Sequence, residues 1–464
     1  MTIDLKTNNW YSEVSRSLDK IPDCIKYFET ELQNAKKEVK IFIACLIILI
    51  TGSSYGFEIE RRREVFTKQY GHLFVPLPYS LPGLGEGLLF IGNFGNIADT
   101  TTDFATILGV GDAEFVFGFL DELFIVPDYV YLQYLKARGF KYALTNYRLR
   151  GMNTEKDDFV YALGNYWEYD APTFKLTLFD RMLELGFGRS KQKGRFEKFI
   201  APDEDDLTKQ GVTVTEFDPP LEVNFGDKLE FTARIDYTDD YRDPRKGIRN
   251  ILYLDRQTSS SSSDPSFDVI TNDLQVYIPV LEKSTVVFNL TFSDANVRQE
   301  GETDLEVLKQ ESNYYLCDYS PTPESCRETT LGNAKNTMNI NKHGTSLYLG
   351  GPDRLRSYPQ QRFQGAHTLY FATEFRWNFS ASEGDEIDLF FMKDLVDEMQ
   401  LAFFFEQGSV SETKSELGDT VKYSFGSGFR LLSASGNLYR ADFATGDEGP
   451  QVAVIIQYPW TYRL

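Results

Sequence analysis

Three histidines and four cysteines in 464 residues leave little room for chemistry that depends on them. His72, His343 and His367 lie far apart, so neither a metal centre nor a histidine-based catalytic group has a cluster to build on. No uninterrupted apolar stretch reaches the roughly 18 residues of a membrane-spanning helix. Cations are also scarce: 48 Lys and Arg against 69 Asp and Glu give a net charge of −21. Without a basic surface, a nucleic-acid backbone has no counterpart, and the excess acid reads as a solvated face. Two motif matches fail on context. Gly52-Ser53-Ser54-Tyr55-Gly56 fits G-x-S-x-G but follows an apolar run rather than a strand-turn-helix. Gly83-x-Gly85-x-Gly87 has no following helix to receive a dinucleotide. No enzyme and no cofactor are expected.

What the chain has is aromatic residues and alternation. Aromatics make up 15% of it, with 37 Phe and 27 Tyr, as interfacial girdles of a membrane barrel require. From Thr368, the side chains of Leu369, Phe371, Thr373, Phe375, Trp377 and Phe379 share one face. Tyr370, Ala372, Glu374, Arg376 and Asn378 share the other. In a soluble sandwich the apolar face would look inward; in an outer-membrane barrel it would look out to lipid. Counting back from Leu464, Tyr462, Trp460, Tyr458, Ile456, Val454 and Val452 form one face of a strand that runs to the chain end, which favours the barrel. Similar stretches recur at Leu84–Ile91, Ala113–Leu120, Tyr129–Tyr134, Val212–Phe217, Lys228–Tyr237, Ile248–Asp255, Leu274–Val280 and Ser284–Phe292. Short helices are allowed for only at Asp180–Gly186 and Phe391–Met399. The expected fold is all-β, a transmembrane antiparallel β-barrel over residues 81–464, with about sixteen strands at the length such barrels use.

The N-terminus reads as an address. Lys36, Lys37 and Lys40 precede the apolar run Ile41 to Ile50 and the small residues that follow, as in a signal peptide over 36–56 with cleavage after Gly56. Phe42-Ile43-Ala44-Cys45 is a poor lipoprotein site, because the apolar run continues past Cys45. Residues 1–35 precede the leader as an extension that a wrongly chosen start codon would explain. Residues 57–80, with Arg61-Arg62-Arg63 and several prolines, form a short periplasmic tail. Cys24 and Cys45 would be lost with the leader. Cys317 and Cys326, across a short Pro- and Ser-bearing loop, read as a disulfide, with free thiols or a metal site as the alternatives.

The most unusual segment is the polar loop Gly350-Gly351-Pro352-Asp353-Arg354-Leu355-Arg356-Ser357-Tyr358, continued by Arg362-Phe363-x-Gly365. It resembles the sixth extracellular loop of the BamA/TamA outer-membrane assembly family, also called the bacterial surface antigen family. Asp240-Tyr241-Arg242-Asp243-Pro244-Arg245-Lys246-Gly247 resembles a turn of that family. Glu374-Phe375-Arg376 and Phe404-Phe405-Glu406-Gln407-Gly408 resemble two of its strands. Gly426-x-Gly428-Phe429-Arg430 and Arg440-Ala441-Asp442-Phe443-Ala444 resemble its penultimate strands. The motifs occur in the family's order over about residues 235 to 464.

The resemblance implies that the loop folds into the lumen, where Arg356 faces Glu406. Gly350, Gly351, Tyr358, Arg362 and Gly365 would shape that loop, and Glu374 and Arg376 would line the wall. Ser357 stands where the family usually has Gly, and Glu406 where it has Asp; the ion pair survives both changes. The family's repeated periplasmic POTRA domains have no room in residues 57–80. The resemblance further implies a weak lateral seam between a first strand near Gly83–Gly95 and a last strand near Gln451–Leu464. Pro459 would deprive that last strand of one hydrogen bond. The expected location is the outer membrane of a Gram-negative bacterium, with outer-membrane lipid, periplasmic accessory proteins and outer-membrane protein substrates as partners. Two functions stand at this point: insertion or translocation of outer-membrane proteins or lipids through the seam, or a passive pore or surface antigen that keeps only the barrel.

Overall fold

The computed structural model describes residues 60–66, 68–81, 85–147, 149–200, 214–259, 261–312, 314–319, 323–381, 392–393, 398–433, 437–456 and 458–460. The leader, the N-terminal extension and its two cysteines lie outside the described residues. From Arg61 onward the chain is one compact unit.

That unit is a single 17-stranded antiparallel sheet. Its first strands are β1 (Gly71–Leu81), β2 (Gly85–Gly95), β3 (Asp103–Gly111) and β4 (Glu114–Val126). Four long strands follow: β5 (Val130–Tyr147), β6 (Phe159–Leu178), β7 (Leu183–Ile200) and β8 (Val214–Thr238). Next come β9 (Gly247–Thr258), β10 (Ser266–Leu281) and β11 (Ser284–Gln299). After a long connection the chain adds β12 (His367–Ala381), the two-residue β13 (Met392–Lys393), β14 (Glu398–Ser411), β15 (Lys422–Leu432), β16 (Leu438–Gly446) and β17 (Gly449–Ile456). Leaving out β13, sixteen strands form an uninterrupted meander, each paired with its neighbour in sequence, the count the sequence leads one to expect.

The alternation resolves the choice between sandwich and barrel. On β12, Tyr370, Ala372, Glu374 and Arg376 are buried, whereas Trp377 is 44% exposed. On β14, Phe403 and Phe405 are exposed while Ala402, Phe404 and Glu406 are buried. The polar set therefore faces a filled interior and the apolar set faces out, the arrangement of a barrel in lipid. The side chain of Asn93 on β2 donates to the Tyr439 hydroxyl on β16 at 2.9 Å, so the sheet curls far enough to bring its ends together. Among the described residues, however, no ladder joins β17 to β1. Beyond β2, β1 pairs only with β13, His72 opposite Lys393 and Leu73 opposite Met392.

Three boundaries differ from expectation. The first strand is β1, starting at Gly71 inside the segment read as a tail; Pro76 and Pro78 disguised it, yet proline is tolerated on an edge strand. The last strand ends at Ile456, so Pro459 lies in a turn beyond it. Asp180 to Met182 belong to the β6–β7 turn and Leu183 onward to β7, not to a helix. The sequence reading also missed two helices in the β11–β12 connection, α1 (Leu305–Glu311) and α2 (Pro323–His343). Asp304 caps α1 by accepting from the Glu306 amide, and Pro323 opens α2, where its missing N–H costs nothing.

Candidate functional site

The remainder of the β11–β12 connection, residues 344 to 366, turns back into the barrel. Its two arms are clipped together where Leu349 and Phe363 exchange both backbone hydrogen bonds, at 3.0 and 2.9 Å. Gly350 sits at φ 101°, and a Cβ there would lie 2.3 Å from the Pro359 carbonyl oxygen, so only glycine closes this turn. Gly351 donates to the Tyr358 carbonyl at 2.9 Å, and the Tyr358 ring meets the edge of Phe363 with centroids 5.0 Å apart. Gly365 anchors the returning arm, its carbonyl accepting from the amide and hydroxyl of Ser346. Leu355, just before the tip, holds a left-handed φ of 51° while fully buried, a strained backbone that surrounding contacts must hold in place.

Three arginines fasten this loop to three sectors of the wall. Arg354 donates to Asp273 on β10 at 2.8 Å. Arg362 reaches Glu448, in the β16–β17 turn, at 2.8 Å and the Thr154 carbonyl at 2.8 Å. Between them Arg356 enters an ion network that is buried throughout. Its Nε donates to Glu406 Oε1 at 2.9 Å and its backbone amide to Glu406 Oε2 at 2.7 Å. Its terminal nitrogens reach Glu374 at 3.1 Å and Asp442 at 2.8 Å. The guanidinium also lies 3.4 Å from the ring centroid of Phe404, a stacked cation–π contact. Burial would lower the pKa of Arg356, but Glu406, Glu374 and Asp442 outweigh it and hold it well above its ordinary value. It is a permanent cation.

The fold brings Arg356 and Glu406 together, but Glu406 is not the hub. Glu374 is. Its two oxygens accept from Arg376 at 2.7 Å, from both terminal nitrogens of Arg430 at 2.7 Å, and from Arg356. Asp442 in turn accepts from Arg440 at 2.7 Å, and Arg440 returns to the loop through Asp353 at 2.6 Å. Four guanidinium groups thus meet four carboxylates. Arg430, Arg440 and Asp442 were visible in the sequence only as parts of strand motifs, since nothing local says that β15 and β16 aim them at the same loop. Ser357 packs at the tip, its amide donating to Ser424 Oγ at 3.0 Å. It fits because the wall residue beside it is Gly446, where a Cβ would lie 2.4 Å from Ser357 Oγ.

Tyr458 and Trp460, beyond β17, join this interior rather than the sheet. Trp460 is buried, and its indole N–H donates to the Tyr370 hydroxyl at 3.0 Å, which in turn donates to Glu406 at 2.7 Å. Tyr458, under the Arg376 guanidinium at 4.0 Å, donates to Asp243. Tyr458 and Trp460 thus leave the outward face that the sequence alternation assigned them.

A second charged constellation closes the end of the barrel nearer the N-terminus. The β8–β9 turn is organised by its own aspartates: Asp239 accepts the amides of Arg245 and Lys246, and Asp240 those of Arg242 and Asp243. Arg62 bonds Asp243 at 3.0 Å and contacts Asp240 at 3.2 Å; Arg63 contacts Asp240 at 3.2 Å and Glu398 at 3.4 Å. Burial raises the Asp243 carboxyl, but Arg245, Arg62 and the Tyr458 hydroxyl outweigh it and hold it below the ordinary carboxylate range. Farther along, Phe66 stacks on Tyr131 and covers Arg181, which is paired with Glu122. The arginine run noted in the sequence is therefore an attachment of the incoming chain to the barrel floor.

No family model and no curated protein matches the sequence. Among solved structures, BamA from Haemophilus ducreyi lacking POTRA domains 1–3 is similar at a TM-score of 0.45 and 11% identity, covering 85% of this chain and 70% of that one. CdiB from Escherichia coli is similar at 0.45 and 10%, covering 83% of this chain and 61% of that one. Wzi, an outer-membrane protein involved in group 1 capsule assembly in Escherichia coli, is similar at 0.30 and 8%, covering 86% of each chain.

Cys317 lies in the 3-10 segment Tyr314–Tyr319 and Cys326 in α2; their side chains are outside the described residues. No group of metal ligands occurs among the described residues.

Proposed function

We propose that this protein is an outer-membrane barrel of a Gram-negative bacterium that promotes insertion or translocation of outer-membrane proteins or lipids through a lateral seam between β1 and β17. The observation that carries the reading is the state of that seam. β17 is eight residues long and β1 eleven, and among the described residues no ladder connects them. The last strand stops at Ile456, and Tyr458 and Trp460 beyond it are held in the lumen by Asp243 and Tyr370. Sheet edges accept an incoming strand through their backbone groups, and among the described residues the β1 edge away from β2 carries a ladder only at His72 and Leu73, against β13. The fastened loop supports the same reading against a passive pore, because Arg354, Arg356 and Arg362 hold protein across the lumen.

Outer-membrane lipid, nascent outer-membrane proteins and periplasmic accessory proteins are the partners this reading calls for. Depleting the protein and measuring the levels of other barrel proteins in the outer membrane tests it. Loss of those proteins is the expected result; unchanged levels together with a large, steady conductance in planar bilayers would favour the pore.

A further inference from the structure

The outward face of β5 to β8 changes character at one level. Leu132, Phe174, Phe187 and Phe231 lie abreast on the four strands. One pair of residues farther along each strand stand Tyr134, Pro172, Arg189 and Leu229, a mixed row with a single cation. The next row abreast is Lys136, Asp170, Lys191 and Asp227, and the one after it is Arg138, Glu168, Lys193 and Asn224. Rows on one face are roughly 7 Å apart along the strands and neighbouring strands are about 5 Å apart. A wall of aromatic and aliphatic groups thus passes through one mixed row into a grid of charges at the spacing of packed lipid headgroups.

We infer that this grid binds the phosphate groups of anionic lipids in the leaflet on the loop side of the barrel. The inference rests on the reading of the apolar band as lipid-facing. Six cations, Lys136, Arg138, Arg189, Lys191, Lys193 and Arg195, stand on this face in a chain whose net charge is −21. On the β5–β6 side the cations stand forward of their carboxylate partners: Lys136 and Arg138 have side chains 44% and 42% exposed against 36% for Asp170 and 23% for Glu168, whereas on β8 Asp227 and Glu222 are 45% and 76% exposed beside Arg189, Lys191 and Arg195 at 49%, 51% and 44%. At the β8 margin Asp227 pairs with Arg189 and Lys191, and Glu222 with Arg195. Ion pairs this exposed contribute little and leave the guanidinium and ammonium donors able to turn to a phosphate. Four of the cations fall at every second residue of β7, so one strand presents a column of donors directly above Phe187.

The test uses the full chain in lipid nanodiscs of phosphatidylcholine doped with phosphatidic acid, with bound lipid identified by native mass spectrometry. Each cation near an anionic surface is worth roughly a five-fold change in binding, less where a carboxylate competes. Wild type should retain phosphatidic acid over phosphatidylcholine, K191Q/K193Q should lose about three-fold or more of that preference, and K414Q, on a distant loop, should lose none. High salt should reduce the preference, and millimolar inorganic phosphate should not displace the lipid. Equal retention by wild type and K191Q/K193Q would overturn the inference, as would displacement by free phosphate. Quenching of the outward Trp377 by brominated lipid separates the two levels: quenching without phosphatidic acid preference defeats this inference alone, and absence of quenching defeats the membrane reading beneath it.

Discussion

Glu374 on β12 and Arg430 on β15 face each other across the width of β14, each carboxylate oxygen taking one terminal nitrogen of the guanidinium at 2.7 Å. Neither strand pairs with the other, so this bond measures how tightly the barrel wall is drawn around its internal loop. Removing one member of a buried ion network leaves its partners charged and uncompensated, which costs about 3–5 kcal/mol.

Glu374→Ala should therefore be the most destabilising single change in the wall, because it strands Arg356, Arg376 and Arg430 together. Urea unfolding of the refolded barrel would give a loss of about 3–5 kcal/mol, against less for Arg430→Lys, which keeps the charge but not the paired geometry.

Arg356→Ala should free the loop tip without unfolding the barrel. A cysteine at Ser357, slow to react with a maleimide in the parent, should become reactive in the variant, and protease should cut between Gly350 and Gly365. Arg356→Lys should rescue little, since one ammonium cannot reach Glu406, Glu374 and Asp442 in their present directions.

The floor of the barrel should respond to acid. The Asp243 carboxyl is held below its ordinary value, so its contribution is complete above the unfolded carboxylate pKa of roughly 4 and is lost as pH falls toward the folded value. Asp240 is shifted the other way, by burial and by Asp243, so its ionisation opposes the same assembly. A cysteine at Glu64 should become accessible to labelling below about pH 4 in the parent. In Arg62→Ala it should be accessible already at neutral pH.

How much of this was legible in the sequence depends on how local the cause is. The two faces of β12 are set by side-chain period alone, and each of the eight strand-like stretches overlaps a strand within the described residues. β1 was missed because Pro76 and Pro78 look like loop residues unless the strand is known to lie at an edge. Arg356 and Glu406 could be paired through a resemblance in motif order. Glu374 as the hub could not, because its partners converge from β12, β15 and a loop that sequence spacing does not relate. Tyr458 and Trp460 mislead by continuing an alternation that Asp243 and Tyr370 break by drawing them inward.

Ser357→Gly should change little. The hydroxyl is buried with no hydrogen-bond partner, so removing it relieves about as much as glycine's extra backbone freedom costs, roughly 1 kcal/mol each. Gly446→Leu, which would drive a side chain into Ser357, should loosen the loop as Arg356→Ala does, read by the same labelling.

The most direct test of the seam is disulfide cross-linking of β1 to β17 in a cysteine-free background, scanning pairs between Gly71–Leu81 and Gly449–Ile456. Pairs that close the seam should abolish delivery of other barrel proteins to the outer membrane, with activity restored by reductant. Full delivery with the two strands quantitatively cross-linked would contradict the account.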